Sequence, residues 1–148
     1  MHLKRIITLI PPLPQDVSEP LVERIVHGFY ALVRQDALLG PIFEERIGDG
    51  WDAHLATMVD FWSSLTLMSG RYGGKPHVAH FGLGLTVEHF ERWLALFEGV
   101  VNAHCAGPAA ALFIGRARRV ADSLQIGLNI GDKALHLPGR AAVPVNAA

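Results

Sequence analysis

Apolar side chains recur at every third or fourth position in four long segments of this 148-residue chain. This spacing puts them on one face of an α-helix, so it predicts four amphipathic helices that pack against one another. No segment shows the sustained apolar–polar alternation that is typical of a half-buried strand. We therefore predict an all-α fold, and a chain of this length is expected to form one domain with a sizeable core.

Each predicted helix has a residue that can start it and a face that can be buried. Ser18 can cap the first helix, residues 49–50 open the second, Thr86 caps the third, and Gly107-Pro108 precedes the fourth. The predicted buried faces, in helix order, are Val22, Ile25, Val26, Phe29, Tyr30 and Val33; Trp51, His54, Met58, Phe61, Trp62 and Leu65; Phe90, Trp93, Leu94, Phe97, Val100, Val101 and His104; and Phe113, Ile114, Ala117, Val120, Ala121 and Leu124.

The segments between and beyond these helices are shorter or irregular. Residues 36–43 are broken by Gly40-Pro41, so we predict short turns there rather than a helix. Residues 76–81 predict one short helix, which would be unstable alone and must be held by its packing.

Three regions of the chain can be separated by composition. Residues 1–16 carry three prolines in four positions and predict an N-terminal arm that lies over the domain. Residues 17–131 carry the helical patterns and predict the folded domain. Residues 132–148 are rich in alanine, proline and glycine, and we expect them to be disordered.

Composition restricts the classes of partner. The formal net charge is −1 without a basic cluster, which argues against nucleic acid. No apolar run approaches the roughly 20 residues of a transmembrane helix, so we expect no membrane insertion. Cys105 is the single cysteine, which excludes an intramolecular disulfide, favours a reducing cytoplasmic location and indicates a small hydrophobic residue rather than a nucleophile.

One histidine stands in a context that suggests iron ligation. His80 follows the helix-starting Pro76, precedes a Gly82-Leu83-Gly84 break, and lies 26 positions after His54. A neutral imidazole is a common axial ligand of haem iron, which also needs apolar walls, and half of this chain is hydrophobic. The alternatives are an ordinary surface or core histidine, or a bare metal site shared with His77, for which further ligands are lacking.

Residues 18–128, about three quarters of the chain, resemble a truncated haemoglobin, most closely the third group. The order and spacing of several strings carry this resemblance, whereas each string alone is weak. They are Phe29-Tyr30-Ala31-Leu32-Val33-Arg34, Leu39-Gly40-Pro41-Ile42-Phe43, Trp51-Asp52-Ala53-His54, Phe61-Trp62, Tyr72-Gly73-Gly74-Lys75-Pro76, His80 and His89-Phe90-Glu91-Arg92-Trp93-Leu94-Ala95-Leu96-Phe97. Paired glycines depart from the third group, whereas a histidine at position 54 favours it.

The resemblance implies a two-over-two helical sandwich around haem b. It implies that His80 is the proximal iron ligand and that Tyr30, His54 and Trp93 are the distal polar residues. Further residues implied to contact the cofactor are Phe61, Trp62, Tyr72, Leu85 and Phe97. Tyr30 and Trp93 could instead be ordinary core aromatics, and the inward or outward direction of His54 is left open.

The implied function is reversible binding of dioxygen or another diatomic ligand. The same site could serve oxygen transport, although two distal donors suit chemistry better than delivery, so oxidation of nitric oxide and peroxidase-like turnover are both candidates. The former needs an electron-donating reductase as partner, because no flavin or nicotinamide domain is recognisable in this sequence. The alternatives are a gas or redox sensor that acts through a partner, for which both tails are short, and a helical domain without haem.

Overall fold

The computed structural model describes residues 16–80 and 82–132, and all regular elements in these ranges are helices. They are α1 (Glu19–Gln35), α2 (Gly40–Ile47), α3 (Trp51–Leu67), α4 (Pro76–Ala79), α5 (Val87–His104) and α6 (Gly107–Gly127). The all-α prediction is confirmed. The predicted arm and tail lie almost wholly outside the described residues, so the three-region division of the chain stays a prediction.

The predicted helix starts are present, and two of them show their capping atoms. The Ser18 hydroxyl accepts a hydrogen bond from the backbone N–H of Leu21 at 3.3 Å. At the start of α5, the backbone N–H of Thr86 donates to Nδ1 of His89 at 3.0 Å. His89 thus takes the place that glutamate or glutamine usually holds in a capping box.

The prediction of short turns over residues 36–43 holds for residues 37–39, which form a turn, but is wrong from Gly40 onward, where the eight-residue helix α2 begins. Pro41 stands in the first turn, where its missing N–H costs no hydrogen bond. A Cβ on Gly40 would lie 2.9 Å from the carbonyl oxygen of Arg34, so the close approach of α1 and α2 requires glycine. Gly40-Pro41 therefore starts a helix here instead of breaking one.

The core forms where α1 packs against both α3 and α5, and where α5 packs against α6. The predicted inner face of α1 is buried from Val22 to Val33. Trp62 of α3, Phe97 of α5 and Phe113 of α6 meet at the centre, each at most 2% exposed. Trp62 stacks on Phe97 with ring centroids 4.5 Å apart. No helix within residues 16–80 and 82–132 is both long and apolar enough to cross a bilayer.

A buried carboxylate connects the α1–α2 turn to α5. Asp36 Oδ2 accepts hydrogen bonds from the backbone N–H groups of Leu38 and Leu39 at 3.1 and 2.9 Å. Its Oδ1 accepts from Arg92 of α5, with Nη2 at 2.6 Å and Nε at 2.7 Å. The Asp36 side chain is only 3% exposed, so a truncated residue would leave buried donors without an acceptor.

We predict that Asp36→Ala lowers the free energy of unfolding by about 1–3 kcal/mol, because the donors of Leu38, Leu39 and Arg92 lose their acceptor. Urea unfolding at neutral pH measures this loss. Glu98→Ala is the matched control, since Glu98 pairs with Arg118 on the surface and should matter little. An equal loss of unfolding free energy in Asp36→Ala and Glu98→Ala would contradict the stabilising role of Asp36.

The same carboxylate gives a pH dependence of defined sign. The hydrogen bond from Arg92 holds the pKa of Asp36 below its ordinary value of 3.8. An unfolded chain keeps the ordinary pKa of 3.8, so the contribution of Asp36 to the free energy of unfolding is complete above that pH. This contribution is lost as the pH falls through the lower pKa of the folded protein. The difference in unfolding free energy between wild type and Asp36→Ala should narrow over that acidic range.

Candidate functional site

A cavity of about 360 Å³ lies among the helices, and every helix contributes to its lining. Tyr30 comes from α1, His54 from α3 and Trp93 from α5, while His80 stands directly after α4. Most of the remaining lining residues are apolar. The cavity is thus a mainly apolar chamber with a few polar side chains, the form that ligand and cofactor sites take.

Eight of the nine residues predicted to contact a cofactor line this cavity. They are Tyr30, His54, Phe61, Trp62, Tyr72, His80, Leu85 and Trp93. The ninth, Phe97, is not part of the lining and is fully buried. Its ring stacks on Trp62 and Trp93, with centroids at 4.5 and 5.6 Å, so Phe97 supports the wall from behind.

The hydrogen bonding of His80 determines which of its ring nitrogens can bind a metal. Nδ1 lies 2.6 Å from the carbonyl oxygen of Pro76, the first residue of α4. A carbonyl only accepts, so we assign the proton to Nδ1, which leaves the Nε2 lone pair free. Burial lowers the pKa of His80, with Arg46 contributing and the Pro76 hydrogen bond opposing, so the ring favours the neutral form. A neutral imidazole with one nitrogen oriented by a carbonyl is the form that ligates iron.

The structure places His54 in the cavity lining, which answers the question of its direction. Its ring meets Tyr30 edge-on at 5.0 Å. Burial, and secondarily the nearby imidazole of His80, lower the pKa of His54. Within the described residues, its Nε2 is buried without a hydrogen-bond partner. Such an atom is costly in a folded protein, and at a cavity wall it points to a ligand that would contact it.

Tyr30 and Trp93 bring two further polar groups to the same cavity. Phe29 lies between them, with ring centroids 5.0 Å from Tyr30 and 5.7 Å from Trp93. Burial raises the pKa of Tyr30, so its phenol stays protonated at neutral pH and can donate a hydrogen bond. The indole N–H of Trp93 is always a donor.

A glycine shapes the loop that carries Tyr72 into the cavity. A Cβ on Gly74 would lie 2.5 Å from the Tyr72 hydroxyl and 2.7 Å from the ring carbon that bears it. The Tyr72 ring packs edge-on against Phe61 at 5.0 Å. The absence of a side chain at Gly74 therefore lets Tyr72 adopt this position.

Sequence reasoning missed much of the lining. The largest missed group belongs to α2 and the residue before it, a segment whose first part was predicted as turns: Leu39, Ile42, Phe43, Arg46 and Ile47. Their three-and-four spacing was available as a helical signal, but Gly40-Pro41 was interpreted as a break. Thr57, Met58, Pro76, Ala79, Leu83, His89, Phe90, Val120, Ala121 and Leu124 also line the cavity and were not assigned to it.

A bare metal site was the alternative for this region. Across the described part of the chain, no group of three or more His, Cys, Asp or Glu side chains could hold an ion. The side chain of His77, the proposed second ligand, lies outside what the structure describes.

Comparisons with known proteins find similarity to group 3 truncated haemoglobins. A scan against protein-family models finds no match. The chain is 32% identical over 115 residues to the group 3 truncated haemoglobin ctb of Campylobacter jejuni, which covers 75% of this chain and 91% of that protein. It also matches the crystal structure of the group III truncated haemoglobin from Campylobacter jejuni, with a TM-score of 0.71 and 31% identity over 77% of this chain and 93% of that chain.

The two matches agree in sequence and in fold, and both span nearly the whole relative. Together with the helix order and the residues that meet at the cavity, they show that this chain belongs to the group 3 truncated haemoglobins.

Proposed function

We propose that this protein binds haem b through His80 and uses it to bind dioxygen or another diatomic ligand reversibly. One observation carries the proposal: His80 lines an apolar cavity with Nδ1 held by the Pro76 carbonyl and Nε2 free. The Campylobacter jejuni relatives are haemoglobins by name, which supports the same cofactor.

The residues around the cavity fit a haem. The ring would lie against apolar and aromatic side chains, with Phe61, Trp62, Tyr72 and Leu85 among its walls. The unpartnered Nε2 of His54 is the atom that a bound ligand would satisfy. When bound, the haem supplies an iron with a coordination position for a diatomic molecule.

Tyr30 and Trp93 would act as hydrogen-bond donors to the diatomic ligand. A donor in a water-poor cavity interacts more strongly than one in water, because the surrounding dielectric constant is low. Both side chains are anchored by edge-on contacts with Phe29, so their donors are held in place without reorganisation. Such donors retain the ligand by slowing its dissociation.

Strong retention suits a chemical role better than oxygen delivery. We propose oxidation of nitric oxide or peroxidase-like turnover of peroxide as that role, with an electron-donating reductase as partner for the former. A sensor role that acts through a partner is the alternative. Purified protein without the intense near-ultraviolet absorption band of haem would reject all three and favour a haem-free helical domain.

We predict that His80→Gly abolishes the native ferrous spectrum and that added imidazole restores it, because free imidazole can replace the missing side chain. Absorption spectra of the ferrous protein measure both effects. His27→Ala is the control, since His27 is exposed on α1 and away from the cavity. An unchanged histidine-ligated spectrum in His80→Gly would show that His80 is not the iron ligand.

We predict that Tyr30→Phe and Trp93→Phe each speed dioxygen dissociation by about tenfold or more, since each loses a hydrogen bond of about 1.5 kcal/mol. Stopped-flow displacement of dioxygen measures the rate. His27→Ala is again the control, because His27 is exposed on α1 and does not line the cavity. Unchanged dissociation rates in both variants would show that Tyr30 and Trp93 contribute only packing.

We predict that His54 borders the access route and does not ligate the resting iron. His54→Ala should therefore alter the association rate of a diatomic ligand more than its dissociation rate. The ferrous spectrum should be five-coordinate in both proteins. A six-coordinate ferrous spectrum in the wild type that disappears in His54→Ala would show instead that His54 is a ligand.

A further inference from the structure

A single carboxylate outside the cavity connects three helices at the end where His54 lies. Oε1 of Glu44, in α2, accepts a hydrogen bond from Nε of Arg34 near the end of α1 at 2.7 Å. Its Oε2 accepts from the indole Nε1 of Trp51, the first residue of α3, at 3.2 Å. We refer to Arg34, Glu44 and Trp51 as the clamp.

The clamp holds the Trp51 ring from two directions. Glu44 binds the N–H at its edge, while the guanidinium of Arg34 lies over its face, 4.4 Å from the ring centroid. Trp51 is 7% exposed, so these contacts fix a nearly buried ring rather than a mobile surface side chain.

From Trp51, ring contacts lead directly to the cavity. His54 lies three residues later on α3 and therefore on the same face of the helix. The two rings meet edge-on at 5.7 Å, and Trp51 also contacts Tyr30 at 5.9 Å. Trp51 itself does not line the cavity, whereas His54 and Tyr30 do. Through the Trp51 ring, the clamp therefore contacts two side chains that line the cavity.

The clamp is a weak candidate for a stabilising device. The side chains of Arg34 and Glu44 are 47% and 43% exposed, and ion pairs this exposed add little to stability. Arg34, with a smaller contribution from Trp51, holds the pKa of Glu44 below its usual range, so the carboxylate is charged at neutral pH.

His54 needs something to hold it inward. Its Nε2 is buried without a partner among the described residues, and that state is costly compared with an imidazole that reaches water. A side chain near the start of a helix can rotate towards solvent if its neighbours yield. Tyr30, Phe43 and Trp51 all pack on the His54 ring. Trp51 is itself fixed by Glu44 and Arg34, so we expect it to resist this rotation.

We propose that the Arg34–Glu44–Trp51 clamp is a positioning device that holds His54 across the access route to the distal side of the cavity. The inference rests on the proposed function, because the route matters only if a ligand binds there. Glu44 and Trp51 are positioning residues that act through His54.

The test measures carbon monoxide association by flash photolysis of the ferrous holoprotein. Glu44→Ala should raise the association rate constant about threefold or more, the scale of couplings carried by residues that contact neither ligand. Trp51→Phe, which keeps an aromatic ring but loses the indole N–H, should act in the same direction. Glu44→Gln should have a smaller effect, because its amide oxygen can still accept the indole N–H. Glu98→Ala, which breaks the exposed Arg118–Glu98 pair on helices α5 and α6, is the matched control and should leave the rate unchanged.

Two further measurements separate positioning from simple loss of structure. In a His54→Ala background, Glu44→Ala should no longer change the association rate, because the residue through which it acts is gone. In the diamagnetic carbon monoxide complex, the indole N–H resonance of Trp51 should shift in Glu44→Ala but much less in Glu44→Gln. The unfolding midpoint should stay close to that of the wild type.

Failure of this inference can be distinguished from failure of the proposed function. If the wild type shows no haem spectrum, the proposed function fails, and this inference with it. If haem binds through His80 and the Trp51 resonance shifts, but the association rate does not change, the clamp is not a positioning device. The inference is equally overturned if the Glu44→Ala effect persists without His54, or if it comes with a large loss of stability.

Discussion

Stacking of Trp62 on Phe97, with ring centroids 4.5 Å apart, supports both the core and the cavity. Phe97 is fully buried and also stacks on Trp93, whereas Trp62 and Trp93 show another part of their surface to the cavity. The same rings therefore close the hydrophobic core on one side and form a wall on the other. Large aromatic rings suit this double role, because each buries much apolar area while few torsions need to be fixed.

Three polar side chains at the cavity, His80, His54 and Tyr30, are each oriented by a different kind of contact. The Pro76 carbonyl orients His80 by a hydrogen bond, while the Trp51 ring supports His54 by packing. Tyr30 is held among aromatic rings, and burial keeps its phenol protonated. Between mainly apolar walls such groups interact strongly with a ligand, so small displacements of the residues that orient them should change binding.

Two carboxylates, Asp36 just before α2 and Glu44 within it, act differently. Asp36 is buried, accepts hydrogen bonds from Leu39 and Arg92, and is expected to stabilise the fold. Glu44 is close to half exposed and connects Arg34 with Trp51, so its contribution is to position rather than to stability. The difference follows from burial, because a carboxylate that water can reach gains little from an ion pair, whereas buried donors that lose their acceptor are costly.

The long helices and their starts could be predicted from local sequence, because helical periodicity and capping depend on residues only three or four positions apart. Ser18 and Thr86 were predicted as caps for this reason, and His80 was placed at the cavity by its local context and the family strings. Local patterns did not reveal α2, since Gly40-Pro41 can either break a helix or start one. The structure shows that it starts one, and the Arg34 carbonyl, which leaves no room for a Cβ, explains why residue 40 is glycine.

Which aromatic side chains reach the cavity could not be predicted from local sequence, because it depends on how the helices pack. Trp93 and Phe97 lie on one stripe of α5, four residues apart, and periodicity treats them alike. The packing of α5 against α1 and α6 puts Trp93 at the cavity and Phe97 behind it. The inward direction of His54 has the same origin, because it depends on contacts with Tyr30 of another helix and on a ring held by Glu44. A helical pattern selects the buried face of a helix, but the angles at which helices meet decide what that face touches.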